Sequence, residues 1–498
     1  MNVNPITRLD YPDPDVIRVE DTYYMVSTTM HFMPGCEILQ SFDLVHWEHA
    51  TYVYETLDHT DAQQLKSGQN IYGQGMWAAS LRYHEGRFYI CFVANDTRKT
   101  YLYTSEKIDG PWKKQLIEGF YHDGSLLFDE DGRNYIVYGN DEIWITELNE
   151  DLTAPKKDGL HRLLVSDHKN PKLGYEGSHI QKINGYYYIF LIHSLRDRWM
   201  RTEACFCSDS LEGEFTGGDV LCDDRGYCGQ GVAQGGIVDT PDGKWYAMLF
   251  QDSGAVGRLP ILLPVTWKDH FPVFGQNGHV PEEIEVHSTR PGYIYQPLVG
   301  SDDFCNGLLP RWQFNHDPDP RYYHLDALQG TYTITTREVC TELTQAVNTL
   351  TQRMSYPSCA AEVTVDASAL KEGDVAGLCA LQSCYAAVGI TKHHGKYEVL
   401  MLDKKEDGIL DMTEGTVVES HQMDFRLEAD FCNMKDEARC YYRVNKGDWL
   451  PIGTVHKLYF KLDHFTGCRF GLFCYAAEET GGSACFRDFK YYDVDEIS

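Results

Sequence analysis

The sequence predicts an all-β protein, a five-bladed β-propeller followed by a β-sandwich of jelly-roll type, and three observations carry that prediction. A hairpin-like pattern recurs five times between residues 13 and 251. The chain is rich in Tyr (33), Phe (22) and Gly (43), and its apolar runs are short and broken by Gly, Asp and Asn, a composition of strands and turns. Beyond residue 297 the repeat stops while short alternating strands continue.

The five copies are "DPDVIRVEDTYYMVST" from 13, "AASLRYHEGRFYICFV" from 78, "DGSLLFDEDGRNYIVYG" from 123, "EGSHIQKINGYYYIFLIH" from 176 and "QGGIVDTPDGKWYAMLFQ" from 234. Each has a leading residue, two mostly small ones, alternating apolar positions, a polar turn and an aromatic-rich strand. The turn residues Asp21, Gly86, Gly132, Gly185 and Gly243 follow their leaders by 8, 8, 9, 9 and 9 positions, and successive leaders are 65, 45, 53 and 58 residues apart. A four-stranded unit at that interval is the mark of a propeller blade. A weaker second signal falls between the copies, at "SFDLVHW", "SEKIDGPW" and "SDSLEGEF". The second half, with "GTYTITT", "CAAEVTVDA" and "FRLEADFC", alternates without helical period, as sandwich strands do. At 498 residues the chain exceeds one hydrophobic core, and the expected division is a propeller over 1–297 and a sandwich over 298–498.

A formal net charge of −30 repels phosphate backbones and anionic lipids, so neither nucleic acid nor a membrane surface is an expected partner. No apolar run reaches the length of a membrane span. The start, "MNVNPITRLDYPDPDVIRV", has no basic and apolar export pattern, and sixteen cysteines occur without zinc-site spacing. A reducing, cytoplasmic setting is therefore expected, with most thiols serving as small core residues. Oligomeric state is not legible in the sequence.

Equivalent residues of successive blades are related by rotation about one axis, so the leaders Asp13, Ala78, Asp123, Glu176 and Gln234 should meet around one mouth of the channel. Three of them are acids. Like charges in a confined site repel and raise one another's pKa, which a purely structural propeller has no reason to arrange. A structural Ca²⁺ in the channel is the bland alternative, since oxygen ligands suit it; otherwise no cofactor is expected. The chemical alternative is glycoside hydrolysis, which needs a carboxylic acid on one side of the scissile bond and a carboxylate on the other. A third acid can orient the donor and tune its proton. A non-catalytic sugar-binding propeller is disfavoured, because a neutral sugar gains little from buried like charges.

These segments resemble family 43 glycoside hydrolases, a family of inverting enzymes built on a five-bladed propeller. By that resemblance "YPDPD" places a general base on Asp13, "YHDGSLLFDEDG" a pKa modulator on Asp123, and "YEGSHIQKINGYYY" the general acid on Glu176. Asp15 stands where the family more often has Ser, and Gly124 replaces a common Pro; neither alters an acid. The resemblance also implies substrate contacts. Trp77 in "GQGMWAASLRYH" is similar to a sugar-stacking Trp, and Phe32 in "STTMHFMPG" to an aromatic that walls the pocket. Arg258 in "GAVGRLPILLPVTW" is similar to an Arg that reaches sugar hydroxyls and the acids. His179 is a further candidate contact. Many relatives carry a cation-ligating His near Gln234, and the Gln here argues against a metal site. The segments "SDDFCNGLLPRWQFNHDPD" and "AVNTLTQRMSYPSCAAEV" resemble the sandwich attached to xylan-side enzymes of the family, for which a structural and pocket-shaping role is expected. The implied activity is exo-acting release of terminal α-L-arabinofuranose, with β-D-xylose as a further product, from xylan-derived oligosaccharides. A predominant β-xylosidase is the alternative.

Overall fold

The computed structural model describes residues 3–413, 415–461 and 463–493. Five antiparallel four-stranded sheets follow one another, each laid down in chain order from its innermost strand outward. Blade 1 comprises Asp15–Val19, Thr22–Val26, Gly35–Ser41 and Glu48–Tyr54. Blade 2 comprises Met76–His84, Arg87–Ala94, Lys99–Ser105 and Lys113–Ile117. Blade 3 comprises Ser125–Phe128, Asn134–Asn140, Glu142–Leu148 and His161–Ser166. Blade 4 comprises Glu176–Ile183, Tyr186–Ser194, Arg201–Ser208 and Thr216–Leu221. Blade 5 comprises Gly236–Asp239, Trp245–Asp252, Arg258–Lys268 and Phe271–Phe274. Each recurring hairpin of the sequence forms the two inner strands of one blade, as in the pairing Asp15↔Val26 to Val19↔Thr22.

A twisted sheet buries both faces only if neighbours cover them, and the alternating apolar residues do this at all five blade junctions. Ile38 and Leu81 share one buried cluster, as do Leu102 and Ile136, Val137 and Ile189, Phe190 and Leu249, and Met248 and Met25. Polar contacts close the ring beside blade 5. Gln181 Nε2 donates to the Ile237 carbonyl at 2.8 Å, and Arg18 Nε donates to the Asp239 carbonyl at 3.1 Å.

The second half forms two antiparallel sheets packed over one core, with Leu350, Leu378, Val388, Phe425 and Phe486 buried inside. It is not a detached module. The propeller lends the larger sheet a two-residue strand, Phe32–Met33, which pairs with Gln313–Asn315. Ala255, Val256 and Leu259 of blade 5 belong to the sandwich core. Arg353 is buried against Glu37 at 2.8 Å and lies over the Tyr11 ring.

This junction corrects one expectation. Phe32 does not wall a pocket; it is buried among Leu343, Leu381, Tyr385 and Phe473 of the sandwich, under the Arg469 guanidinium. Pairing with Asn315 commits its side chain to the domain junction, a constraint invisible to a local motif.

Candidate active site

The inner strands do not start as regular β-structure. Asp13, Ala78 and Asp123 lie in the left-handed region (φ 52°, 25° and 48°), as does Gly177 beside Glu176 (φ 64°). Such non-glycine conformations cost about 1–3 kcal/mol each and persist where surrounding structure fixes them. They precede the first pairs of the ladder in blades 1 and 3 and form bulges just after the first pairs in blades 2 and 4. Gly177 has a second reason to be glycine: a Cβ there would come within 2.3 Å of the Gln234 side chain.

Asp13 is buried with both oxygens engaged. Thr28 Oγ1 donates to Oδ2 at 2.7 Å and Arg258 Nη1 to Oδ1 at 2.9 Å. The Thr28 hydroxyl in turn accepts the Ala78 amide, which ties blade 1 to blade 2. Arg258 is itself buried, braced by Asp252 at 3.3 Å, and Asp252 accepts from Arg201 at 2.7 Å. A buried, doubly braced guanidinium is not a surface ion pair.

Asp123 and Glu176 face each other across the junction of blades 3 and 4. Asp123 Oδ2 accepts the Gly177 amide at 3.0 Å. His122 Nε2 lies 3.5 Å from that same oxygen and 3.7 Å from Glu176 Oε2, which also receives Asn140 Nδ2 at 2.8 Å. Burial, with the charges of Glu176 and Asp13, pushes the Asp123 carboxyl up to about 6 against the opposing pull of His122. The Asp123 charge first, then Glu176, raises His122 to about 9 although burial opposes it. Among the described residues this trio is the one set of three ligand-type side chains with donor atoms within 4.8 Å. Each of the three offers an atom that could ligate a metal ion, and without one the imidazole lies between two carboxyls that favour its protonated form.

Aromatic groups complete the walls. Trp77 stacks on Phe465 (centroids 5.2 Å, 25°) and meets His122 edge-on at 6.1 Å. Phe465 belongs to the sandwich and also lies 4.4 Å from the Arg258 guanidinium, so the second domain enters the site. Gln234 is buried against Gly177, next to Glu176. His179 lies deeper in the channel, its Nδ1 3.1 Å from Asp15 Oδ1 and its ring against Gly236.

Arg82 fills that channel. Its guanidinium donates to Asp15 Oδ2 (2.7 Å), Ser125 Oγ (2.7 Å) and the carbonyls of Leu81, Leu126 and Ile180 (2.6, 2.8 and 3.2 Å). Burial alone would raise Asp15, but Arg82 and His179 take it down to about 2. The Asp15, Ser125 and carbonyl oxygens at this level of the channel thus already surround a cation, and a divalent ion does not fit among them. Beyond Arg82 the channel opens on a depression of about 410 Å³ at the far mouth, away from the acids.

Sequence reasoning missed His122, Asn140, Thr28 and Phe465. His122 had a signal, a titratable residue next to a leading acid in "YHDG"; the others act through pairings that no local spacing encodes.

Comparison with known proteins follows from this geometry. The family model described as glycosyl hydrolases family 43 matches residues 3–272. The model of the beta xylosidase C-terminal concanavalin A-like domain matches residues 301–492. A beta-xylosidase of Formosa agariphila is 26% identical, the match covering 99% of this chain and 89% of the relative. A xylosidase/arabinosidase of Butyrivibrio fibrisolvens is 24% identical, with 99% of both chains covered. Among solved structures, a bifunctional GH43-CE protein of Bacteroides eggerthii superposes with a TM-score of 0.92 at 42% identity, over 99% of this chain; the chain spans 64% of that protein's length.

Proposed function

The chain belongs to glycosyl hydrolase family 43, and we propose that it is an inverting, exo-acting enzyme that releases terminal α-L-arabinofuranose, with β-D-xylose as a further product, from xylan-derived oligosaccharides. The observation that carries the reading is the approach of acids from three blades: Asp123 and Glu176 both face His122, the Asp13 charge acts on Asp123 and His122, and Trp77 stacks on Phe465 beside that imidazole. The names borne by the relatives from Formosa and Butyrivibrio support a pentose substrate.

In this scheme Glu176 gives its proton to the glycosidic oxygen as the bond to the anomeric carbon breaks. Asp13 takes a proton from the water whose oxygen bonds that carbon on the opposite face, so the configuration inverts. A carboxylate offers about four lone-pair directions, so Asp13 can hold Thr28 and Arg258 and still receive that proton. Arg258 holds Asp13 in place; Asp123, hydrogen-bonded to the amide after Glu176, holds the donor's backbone. Trp77 and Phe465 offer apolar faces to a sugar ring. Every step is carried by a side chain of this protein, and the reading requires no cofactor.

A predominant β-xylosidase is the second reading, supported by the match of the second half to a domain described from beta xylosidases. The test pairs nitrophenyl α-L-arabinofuranoside with nitrophenyl β-D-xylopyranoside and follows the first-formed sugar by proton NMR. Higher kcat/KM on the arabinofuranoside and an inverted first anomer are expected. Retention of configuration would overturn the mechanism, and a reversed ratio would favour the second reading.

A further inference from the structure

Glu176 is gripped by one oxygen. Asn140 Nδ2 donates to Oε2 at 2.8 Å, and His122 Nε2 approaches the same Oε2 at 3.7 Å. Among the described residues no hydrogen-bond donor reaches Oε1. Both gripping side chains come from blade 3, and the backbone fixes them together: the Gly139 amide, next to Asn140, donates to the His122 carbonyl at 3.0 Å. The left-handed turn at Asp123 then sets the Asp123 carboxylate 3.5 Å from the same Nε2, so one ring nitrogen lies between the two acids.

We propose that His122 is a positioning residue of the hydrolysis: it clamps Glu176 to Asp123 and, with Asn140, reserves Oε2 as an acceptor, so that the transferable proton sits on Oε1. An oxygen that accepts Asn140 Nδ2 and faces the charge of His122 is the wrong place for a proton, and a carboxylic acid has only one other. Oε1–H then points to the leaving-group oxygen while Oε2 stays anchored. This rests on Glu176 being the proton donor.

The groups facing His122 are Asp123 on its own turn, Glu176 on blade 4, Asp13 before blade 1 and the Trp77 ring on blade 2; Arg258 on blade 5 adds a second positive charge near Glu176. Three acids around one imidazole hold it protonated at neutral pH, consistent with its raised value near 9. A cation beside Asp123 favours its ionised form. Removing it should raise that carboxyl further, and the pH profile of kcat/KM should move to higher pH.

The full-length His122→Phe variant keeps a ring of similar size on a partly exposed turn. Its pH profile on a nitrophenyl pentoside is expected to move up by about half a pH unit or more, and its rate on an oligosaccharide is expected to fall about tenfold further than on the aryl glycoside. A profile that loses height without moving would mean a structural role and overturn the proposal. A second readout needs no activity. In wild-type chain with labelled histidine, assigned against His122→Phe, the His122 imidazole should titrate well above its ordinary 6.5, and drop towards it in Asp123→Asn. A wild-type midpoint at or below 6.5 would overturn the clamp. A wild-type chain that cleaved no pentoside would overturn the glycosidase reading instead, and the midpoint would still decide the clamp.

Discussion

Asp13 accepts from Thr28 and Arg258, one on each oxygen, and is sunk below the protein surface. Glu176 is half-buried and gripped on one side only. Those settings suit a fixed base and a donor that must meet a departing group, and they predict different failures. Glu176→Ala should cost about 10²–10⁴-fold on a xylan oligosaccharide, whose leaving alcohol needs the proton, and much less on a nitrophenyl glycoside. Asp13→Ala should cost both substrates alike, because each needs activated water. Steady-state rates on the two substrates decide it; near-normal turnover of Asp13→Ala would remove the base from the scheme. The acid limb belongs to the same argument. Burial pushes the Asp123 carboxyl up to about 6, so kcat/KM should fall below about pH 6, and that limb should vanish from the residual activity of Asp123→Asn. Unfolding through this group is not the cause. A raised carboxyl contributes stability that is fully present below its ordinary 3.8 and is lost as pH rises through 6, the opposite direction.

At the scale of elements, the five inner strands do two jobs with one repeat: their starts present the acids and their middles close the channel. Arg82, in the middle of the blade 2 inner strand, reaches oxygens of blades 1, 3 and 4 as well as its own. A side chain that bridges four blades holds them together by a tethered cation. Chelation with EDTA is therefore expected to leave both melting temperature and kcat/KM unchanged. Arg82→Ala would strip the guanidinium from buried Asp15 and leave it His179 and the Leu81 amide, a loss of up to about 3–5 kcal/mol, and lower the melting temperature. A chelator-induced loss restored by Ca²⁺ would refute this. The repeat itself was legible because alternation and turn spacing are local, and so were Asp13, Asp123 and Glu176 as its leaders. Phe32 was not: its partner Asn315 lies in the other domain, and the same two-residue alternation reads as pocket wall or junction until that pairing is known. Asn140 and Phe465 were hidden for the same reason, since each acts on a residue of another blade or domain.

Over the whole molecule, the sandwich and propeller share buried chemistry that neither could leave exposed. Asp10, before blade 1, accepts the Arg258 amide with one oxygen and the Gly467 amide of the sandwich with the other, both at 2.8 Å. Burial holds its carboxyl above the usual range. Arg353 of the sandwich is buried on Glu37 and donates Nε to the Asp10 carbonyl. The chain segment that aims Arg258 at Asp13 is thus held by sandwich atoms, and Phe465 closes the Trp77 face from the same side. Ending the chain at residue 297 would leave Glu37 without its buried partner, at about 3–5 kcal/mol. It would also expose Met33, Ala255, Val256 and Leu259, all buried in the intact chain. Losses of that size approach the whole stability of an ordinary domain, about 5–15 kcal/mol. A fragment covering residues 1–297 is therefore expected to be aggregated or to melt without a cooperative transition, and to hydrolyse no pentoside. Circular dichroism melting and an aryl-pentoside assay on the fragment decide the matter. A soluble, cooperatively melting fragment with undiminished kcat would show that the sandwich neither supports the propeller nor shapes its pocket. A folded fragment with unchanged kcat but KM raised about tenfold, the order expected for a lost aromatic pair, would limit the sandwich to the contact made by Phe465.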